Sequence, residues 1–193
     1  AFGHESKANA NQSIAIGSES KALGLGSIAF GYESNASVAN AIAIGTESKA
    51  SGLGSISFGY GAIADKANAI AIGYDAGNYY QGQNAIAIGA NAGLTVQGTN
   101  AIAIGQNAGN KNQGQHAITI GYASGVDNQG QNSISIGQNV GNNTQGTNVL
   151  GENGNDSIGN EAVINIVDKL KSNLIIKNQI SLEESFVSAG EMQ

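Results

Sequence analysis

The sequence predicts an all-β fold, a single-stranded β-solenoid of short stacked coils, on three observations. One five-residue motif recurs at two strictly kept spacings. The isoleucines inside that motif alternate with small residues at period two, the spacing of a strand rather than a helix. Glycines interrupt the chain every few residues, and each costs about 1 kcal/mol in a helix interior.

The motif reads small-Ile-small-apolar-Gly and occupies residues 13–17, 27–31, 41–45, 55–59, 69–73, 85–89, 101–105, 117–121 and 133–137. Its closing glycines fall at 3, 17, 31, 45, 59 and 73, a step of 14, and then at 89, 105, 121 and 137, a step of 16. A repeat kept this strictly gives every copy the same structural place. The 14-residue units carry a second signature, Glu-Ser-Lys/Asn-Ala, at 5–8, 19–22, 33–36 and 47–50, with 61–64 as a variant. Each unit therefore holds two short extended stretches joined by glycine-containing corners. A finer alternation is visible too, because residues 54–58 echo 26–30, two units earlier. In the 16-residue units the second stretch becomes Ala/Ser/Val-Gly, three variable residues and Gln-Gly, with the glutamines at Gln81, Gln97, Gln113, Gln129 and Gln145. The two extra residues are expected to widen a corner without changing the fold.

Units of this length suit one solenoid coil each. At about 4.8 Å per coil, about ten coils make a rod roughly 50 Å long. Stacking lines up like residues, giving an Ile ladder, an Ala/Ser ladder and an Asn ladder at Asn84, Asn100, Asn132 and Asn148, with His116 on the same rung. Three regions are expected: 1–73 with 14-residue repeats, 74–160 with 16-residue repeats, and a non-repeat cap or transition segment over 161–193. In that last segment Val163–Val167 and Leu174–Leu182 read as strands, with a helix over Ala162–Leu170 as the competitor. A cap is needed because the last coil of a solenoid otherwise leaves an open sheet edge.

Composition narrows the function. The chain has 193 residues, no Pro, Cys, Trp or Arg, and 29 glycines. Charged residues make up 11% of it, so the solvent layer must be largely Asn, Gln, Ser, Thr and Gly. A net charge of −6 with no arginine argues against nucleic acid as a partner. Without cysteine there are no disulfides and no thiolate metal sites. No apolar run approaches the roughly 20 residues of a membrane span. The chain opens inside a repeat, at Ala1-Phe2-Gly3, with no signal peptide, and is expected to be a mature or excised segment.

In Ala-Ile-Ala-Ile-Gly the isoleucines lie on one face and the alanines on the other, and neither face is polar. A thin coil buries only one of them. The second face needs a partner, and small residues there would let neighbouring chains approach closely. Self-association along the rod follows, because ten exposed copies exceed the apolar stripe a monomer tolerates. The pattern is met by two chains or by three.

Ser-Ile-Ala-Ile-Gly-x-Glu-Ser-Lys-Ala (13–22) and its copies resemble the head repeats of trimeric autotransporter adhesins, the YadA-like heads. The resemblance covers 1–73 on both stretches and the 14-residue step. It implies a left-handed parallel β-roll, a side-by-side homotrimer meeting along the Ile strands, and a cell-surface location. The 16-residue units are similar to a variant found in viral and phage fibre proteins.

Little chemistry is written into the chain, and no catalytic, cofactor-binding or metal site is expected. His4 and His116 fall on repeat positions otherwise held by polar residues, so a structural rung outweighs a general base. Glu5, Glu19, Glu33 and Glu47 are expected to stack as a charged ladder, offset by Lys7, Lys21 and Lys49 two residues on. A cation between the stacked glutamates is the minor reading. Residues 151–159 approach the calcium nonapeptide, with Glu152 in place of its second glycine, but form a single copy. A closing Gly/Asn turn is the better reading there. Tyr32, Tyr60, Tyr74 and Tyr122 follow the motif glycine at one corner, and Tyr79 and Tyr80 lie on a variable corner. They divide between corner packing and a binding surface for glycan or protein. Asn11, Asn35, Asn142 and Asn155 begin Asn-x-Ser/Thr sequons, weak signals in so Asn-rich a chain.

The leading function is a non-enzymatic adhesive fibre segment that presents its surface to a host protein, matrix or glycan. A virion or phage fibre is the alternative. An ice-binding solenoid lacks a regular Thr face here, and a polysaccharide enzyme lacks clustered carboxylates.

Overall fold

The computed structural model describes residues 1–142, 146–147, 150–151 and 157–158. Within them the chain is a parallel β-solenoid of short strands, with no helix. Each motif copy forms one three-residue strand of a long sheet: Ile14–Ile16, Ile28–Phe30, Ile42–Ile44, Ile56–Phe58, Ile70–Ile72, Ile86–Ile88, Ile102–Ile104, Ile118–Ile120 and Ile134–Ile136. These pair in sequence order, and Leu150–Gly151 and Ser157–Ile158 extend the sheet. Register never slips: Ile70 pairs with Ile56 on one side and with Ile86 on the other, across the change from 14 to 16 residues.

The second stretch builds two separate sheets. Lys7–Ala8, Lys21–Ala22, Asn35–Ala36, Lys49–Ala50 and Ile63–Ala64 form five strands in the 14-residue coils. Tyr80–Gln81, Val96–Gln97, Lys111–Gln113 and Asp127–Gln129 form four strands in the 16-residue coils.

The closing glycine explains why the step is so strict. A Cβ at Gly17 would sit 2.5 Å from Gly31 O, and one at Gly31 would sit 2.5 Å from Gly45 O. Those glycines also have φ of +123° and +134°, a conformation that side chains disfavour. Each coil is thus laid glycine on glycine, and Gly31 N and Gly45 N donate to Ile16 O and Phe30 O at 2.8 Å. Just past this column Ser20 Oγ donates to Gly17 O (2.9 Å) and Ser34 Oγ to Gly31 O (3.0 Å), closing the corner from within.

The core is an alanine and serine column. Ala15, Ala22, Ala29, Ala36, Ala43 and Ala50 are fully enclosed, as are Ala71, Ala87 and Ala103 higher up the same long sheet. The isoleucines face outward, together with Phe30 and Phe58. This reverses the expected use of the two faces: the small side chains line the inside, and the large ones face outward. The reason is thickness, since facing walls of a 14-residue coil leave room for methyl and hydroxymethyl groups but not for opposed isoleucines.

The expected cap over 161–193, with its strands or competing helix, and the nonapeptide-like segment except Gly151, Ser157 and Ile158 lie outside the described residues.

Candidate functional site

The candidate site is an open surface, and it has three parts. The first is the outer face of the long sheet. Two apolar columns run along it: Ile14, Ile28, Ile42, Ile56, Ile70, Ile86 and their successors, and Ile16, Phe30, Ile44, Phe58, Ile72 and theirs. Phe30 and Phe58 are about half exposed, at 50% and 51%, and Ile136 is at 55%. The face is widened at both edges by Leu25 and Leu53 before the strand and by Tyr32 and Tyr60 after it.

The second part is the corner that follows the closing glycine. Two residues past each glycine the backbone turns through the left-handed region: Glu5, Glu19, Glu33, Glu47, Gly61, Asp75, Asn91, Asn107, Ala123 and Asn139 share this slot, with φ between +48° and +63°. The expected glutamate ladder is therefore a column of turn residues, and Glu33 N and Glu47 N donate to Ser18 O and Tyr32 O of the coil before. Carboxylates projecting here surround the tyrosines. Glu33 beside it pushes the Tyr32 hydroxyl up to about 12, with Glu19 and Glu47 adding to the effect. Glu47 raises Tyr60 likewise. Tyr60 and Tyr74 stack flat on one another, with centroids 5.5 Å apart and planes 8° from parallel.

The lysines expected to offset this ladder lie two residues on, in the five-stranded sheet. Lys7 pairs with Lys21 in register on the five-stranded sheet, Asn35 follows, and then Lys49. Among the described residues the ion pairs are Lys66–Asp65 (3.1 Å) and Lys111–Asp127 (3.3 Å). Among the described residues no glutamate of the ladder forms an ion pair with these lysines.

The third part is the opposite corner, which carries the asparagine ladder. Asn68 Nδ2 donates to Asn84 Oδ1 (3.1 Å), Asn84 Nδ2 to Asn100 Oδ1 (3.0 Å), and Asn100 Nδ2 lies 3.2 Å from His116 Nε2. All four have φ near +57°, so the ladder marks a left-handed turn slot that Gln12, Gly26, Asn40 and Gly54 fill in earlier coils. His116 is a rung, held by its neighbours. Asn148, expected on this ladder, lies outside the described residues.

The sequence missed one feature. Gln81, Gln97 and Gln113 are buried, and each sends its amide across the coil interior. Their Nε2 atoms donate to Ile70 O (2.6 Å), Ile86 O (2.7 Å) and Ile102 O (2.7 Å) of the long sheet. Their Oε1 atoms accept no bond and lie against Gly77, Gly93 and Gly109, where a Cβ would come within 3.0 Å of them. The glutamine of each of these Gln-Gly pairs is thus core. Its constant four-residue distance from an invariant-looking glycine was the available signal.

A model of the YadA head domain repeat, built on two copies, matches residues 1–20, 22–48, 50–76 and 81–108. The chain belongs to the YadA head family. The matches from 22 and from 50 begin 28 residues apart, the two-coil period seen in Phe30 and Phe58. The head repeat thus continues past the change in coil length into the glutamine-cored part. A comparison with curated proteins gives no match. Among the described residues no three His, Asp or Glu side chains gather as metal ligands, and no helix is long and apolar enough to cross a membrane.

Proposed function

We propose that this chain is a segment of a homotrimeric, non-enzymatic adhesive fibre at the cell surface. The outer face of its long sheet joins three copies side by side, and its corners meet a host protein, matrix component or glycan. One observation carries the reading: two unbroken columns of Ile and Phe, exposed or half-buried, face outward along the coils of that sheet. Left bare, so long an apolar stripe is an aggregation hazard in a single chain. The family supplies the number three, and an adhesive rather than catalytic role.

Light scattering on the purified chain tests the assembly. The expected mass is three times that of one chain. Ile42→Lys combined with Ile70→Lys, both on the outer column, should return it to one chain with its β signal intact. A wild-type protein that is strictly monomeric and fully folded overturns the reading.

A further inference from the structure

The tyrosine corner has a missing rung. Directly after the closing glycine, successive coils carry Tyr32, Thr46, Tyr60 and Tyr74. Tyr60 and Tyr74, on adjacent coils, stack at 5.5 Å, close to the step between coils. Tyr32 stands two coils below Tyr60, and the rung between them holds only the half-buried Thr46. Backbone bonds keep the rungs in order: Glu47 N donates to Tyr32 O (2.9 Å), Gly61 N to Thr46 O (3.1 Å) and Asp75 N to Tyr60 O (2.9 Å).

Two coil steps amount to roughly 9.6 Å. A flat group lying between two rings needs two contacts of about 3.5–4 Å. The opening above Thr46 therefore has room for one layer in place of the missing ring. Its rim is anionic. Glu33 neighbours Tyr32, and Glu47 follows Thr46 and acts on the hydroxyls of both Tyr32 and Tyr60. Neither glutamate is in either of the ion pairs found among the described residues. The guest best suited to it is cationic and rich in hydrogen-bond donors, with a flat group that can take the place of the missing ring.

We propose that this gap is a receptor slot for an arginine side chain of a partner protein, its guanidinium lying between Tyr32 and Tyr60 over Thr46 and facing Glu33 and Glu47. Arginine combines planarity, permanent charge and stacking on aromatic faces, whereas the lysine ammonium is a compact point charge. The chain contains no arginine, so a second copy of itself cannot supply the guest. Tyr32 and Tyr60 stand at the edge of the outer face, so the slot rests on that edge staying open when copies join along the face.

N-acetyl-arginine methylamide, titrated into the full chain while tyrosine ring resonances are followed, tests the slot. Saturable shifts at Tyr32 and Tyr60 are expected, with the lysine analogue at least about threefold weaker. Thr46→Tyr supplies the missing ring from a residue the column already carries, and should weaken binding about tenfold. Tyr32→Ser, the residue of the Ser18 rung, should do the same from the other side. Glu47→Gln should cost about threefold and make the remaining affinity less sensitive to salt. Circular dichroism and solution mass, read on the same samples, separate a lost slot from a lost fold or a lost assembly. The proposal fails if no saturable shift occurs, if the lysine analogue binds equally, or if both folded Thr46→Tyr and Tyr32→Ser bind like wild type.

Discussion

In the 14-residue coils the wall opposite the long sheet turns an alanine column inward, Ala22, Ala36, Ala50 and Ala64, while in the 16-residue coils it turns in Gln81, Gln97 and Gln113. The long sheet does not register the change, since Ile70 still pairs with Ile86 and Ala71 with Ala87. Two added residues enlarge the perimeter of the coil, and the interior must then be filled. A leucine would fill it, but glutamine also ties the two walls together through its amide. Gln113 goes further and donates to Thr119 Oγ1 (3.2 Å), where the two coils before it have Ala87 and Ala103. Coil length and core chemistry therefore change together, while the assembly face stays constant. The surfaces diverge as well: the glutamate slot of the first half becomes Asn91, Asn107 and Asn139 in the second.

The sharpest way to break this comparison lies in what both halves share. Gly31→Ala and Gly105→Ala should each cost at least about 3 kcal/mol, because the added Cβ meets a neighbouring backbone at a positive φ. Denaturant unfolding at fixed protein concentration measures this, since mass action shifts the midpoint of an assembly. If Gly105→Ala were tolerated and Gly31→Ala were not, one column would not serve both halves.

The next effect separates them. Gln97→Ala should cost about 2–4 kcal/mol, from the cavity and the lost amide bonds. Gln97→Met keeps the volume, loses those bonds and removes the Oε1 that accepts none, so its cost should stay within about 1.5 kcal/mol. The same unfolding assay decides: a methionine as harmful as the alanine would make the cross-wall bonds, not the filling, the source of stability. Ala50→Gln, set in the thin coil, should cost about 1–3 kcal/mol by overpacking.

The smallest effect belongs to the acidic corner. Tyr32 is raised from 10.0 to about 12 by Glu33, which accepts from the neutral phenol and repels the phenolate. The folded value lies above the unfolded one, so this contribution is complete below pH 10 and is lost as pH rises toward about 12. In an ultraviolet titration of phenolate absorbance, Tyr32→Phe should remove the last component to ionise. Loss of an early component instead would show that the carboxylates do not reach it.

Much of the fold could be read from the chain because spacing is a global property. Glycines 14 and then 16 apart cannot satisfy so close a backbone approach in any other stacking. The outward or inward sense of the strand could not be read the same way. Ala-Ile-Ala-Ile is apolar on both faces, and only the thickness of the closed coil assigns the alanines to the inside. The burial of the glutamines could not be read either, since a polar side chain is expected at the surface until a partner for its amide is known. The left-handed glutamates were hidden by their identity, although Gly61 in the same column betrayed the slot. As for the candidate surface, the column of corner tyrosines was visible in the sequence. The flat stack of two of them and the gap at Thr46 needed coordinates.

The direction of the inter-coil hydrogen bonds has a mechanical consequence. Bonds such as Ile28 N to Ala41 O join one coil to the next and so run along the rod. A pull on the ends of one chain loads them in tension, one coil at a time, instead of shearing many at once. Each coil that peels away from the 14-residue part lets out roughly 45 Å of extended chain. A lone rod would thus lengthen stepwise under load, like thread drawn from a spool. In the proposed assembly, copies bound along the isoleucine face would share that load at every level, and the rod would stay short until several chains gave way together.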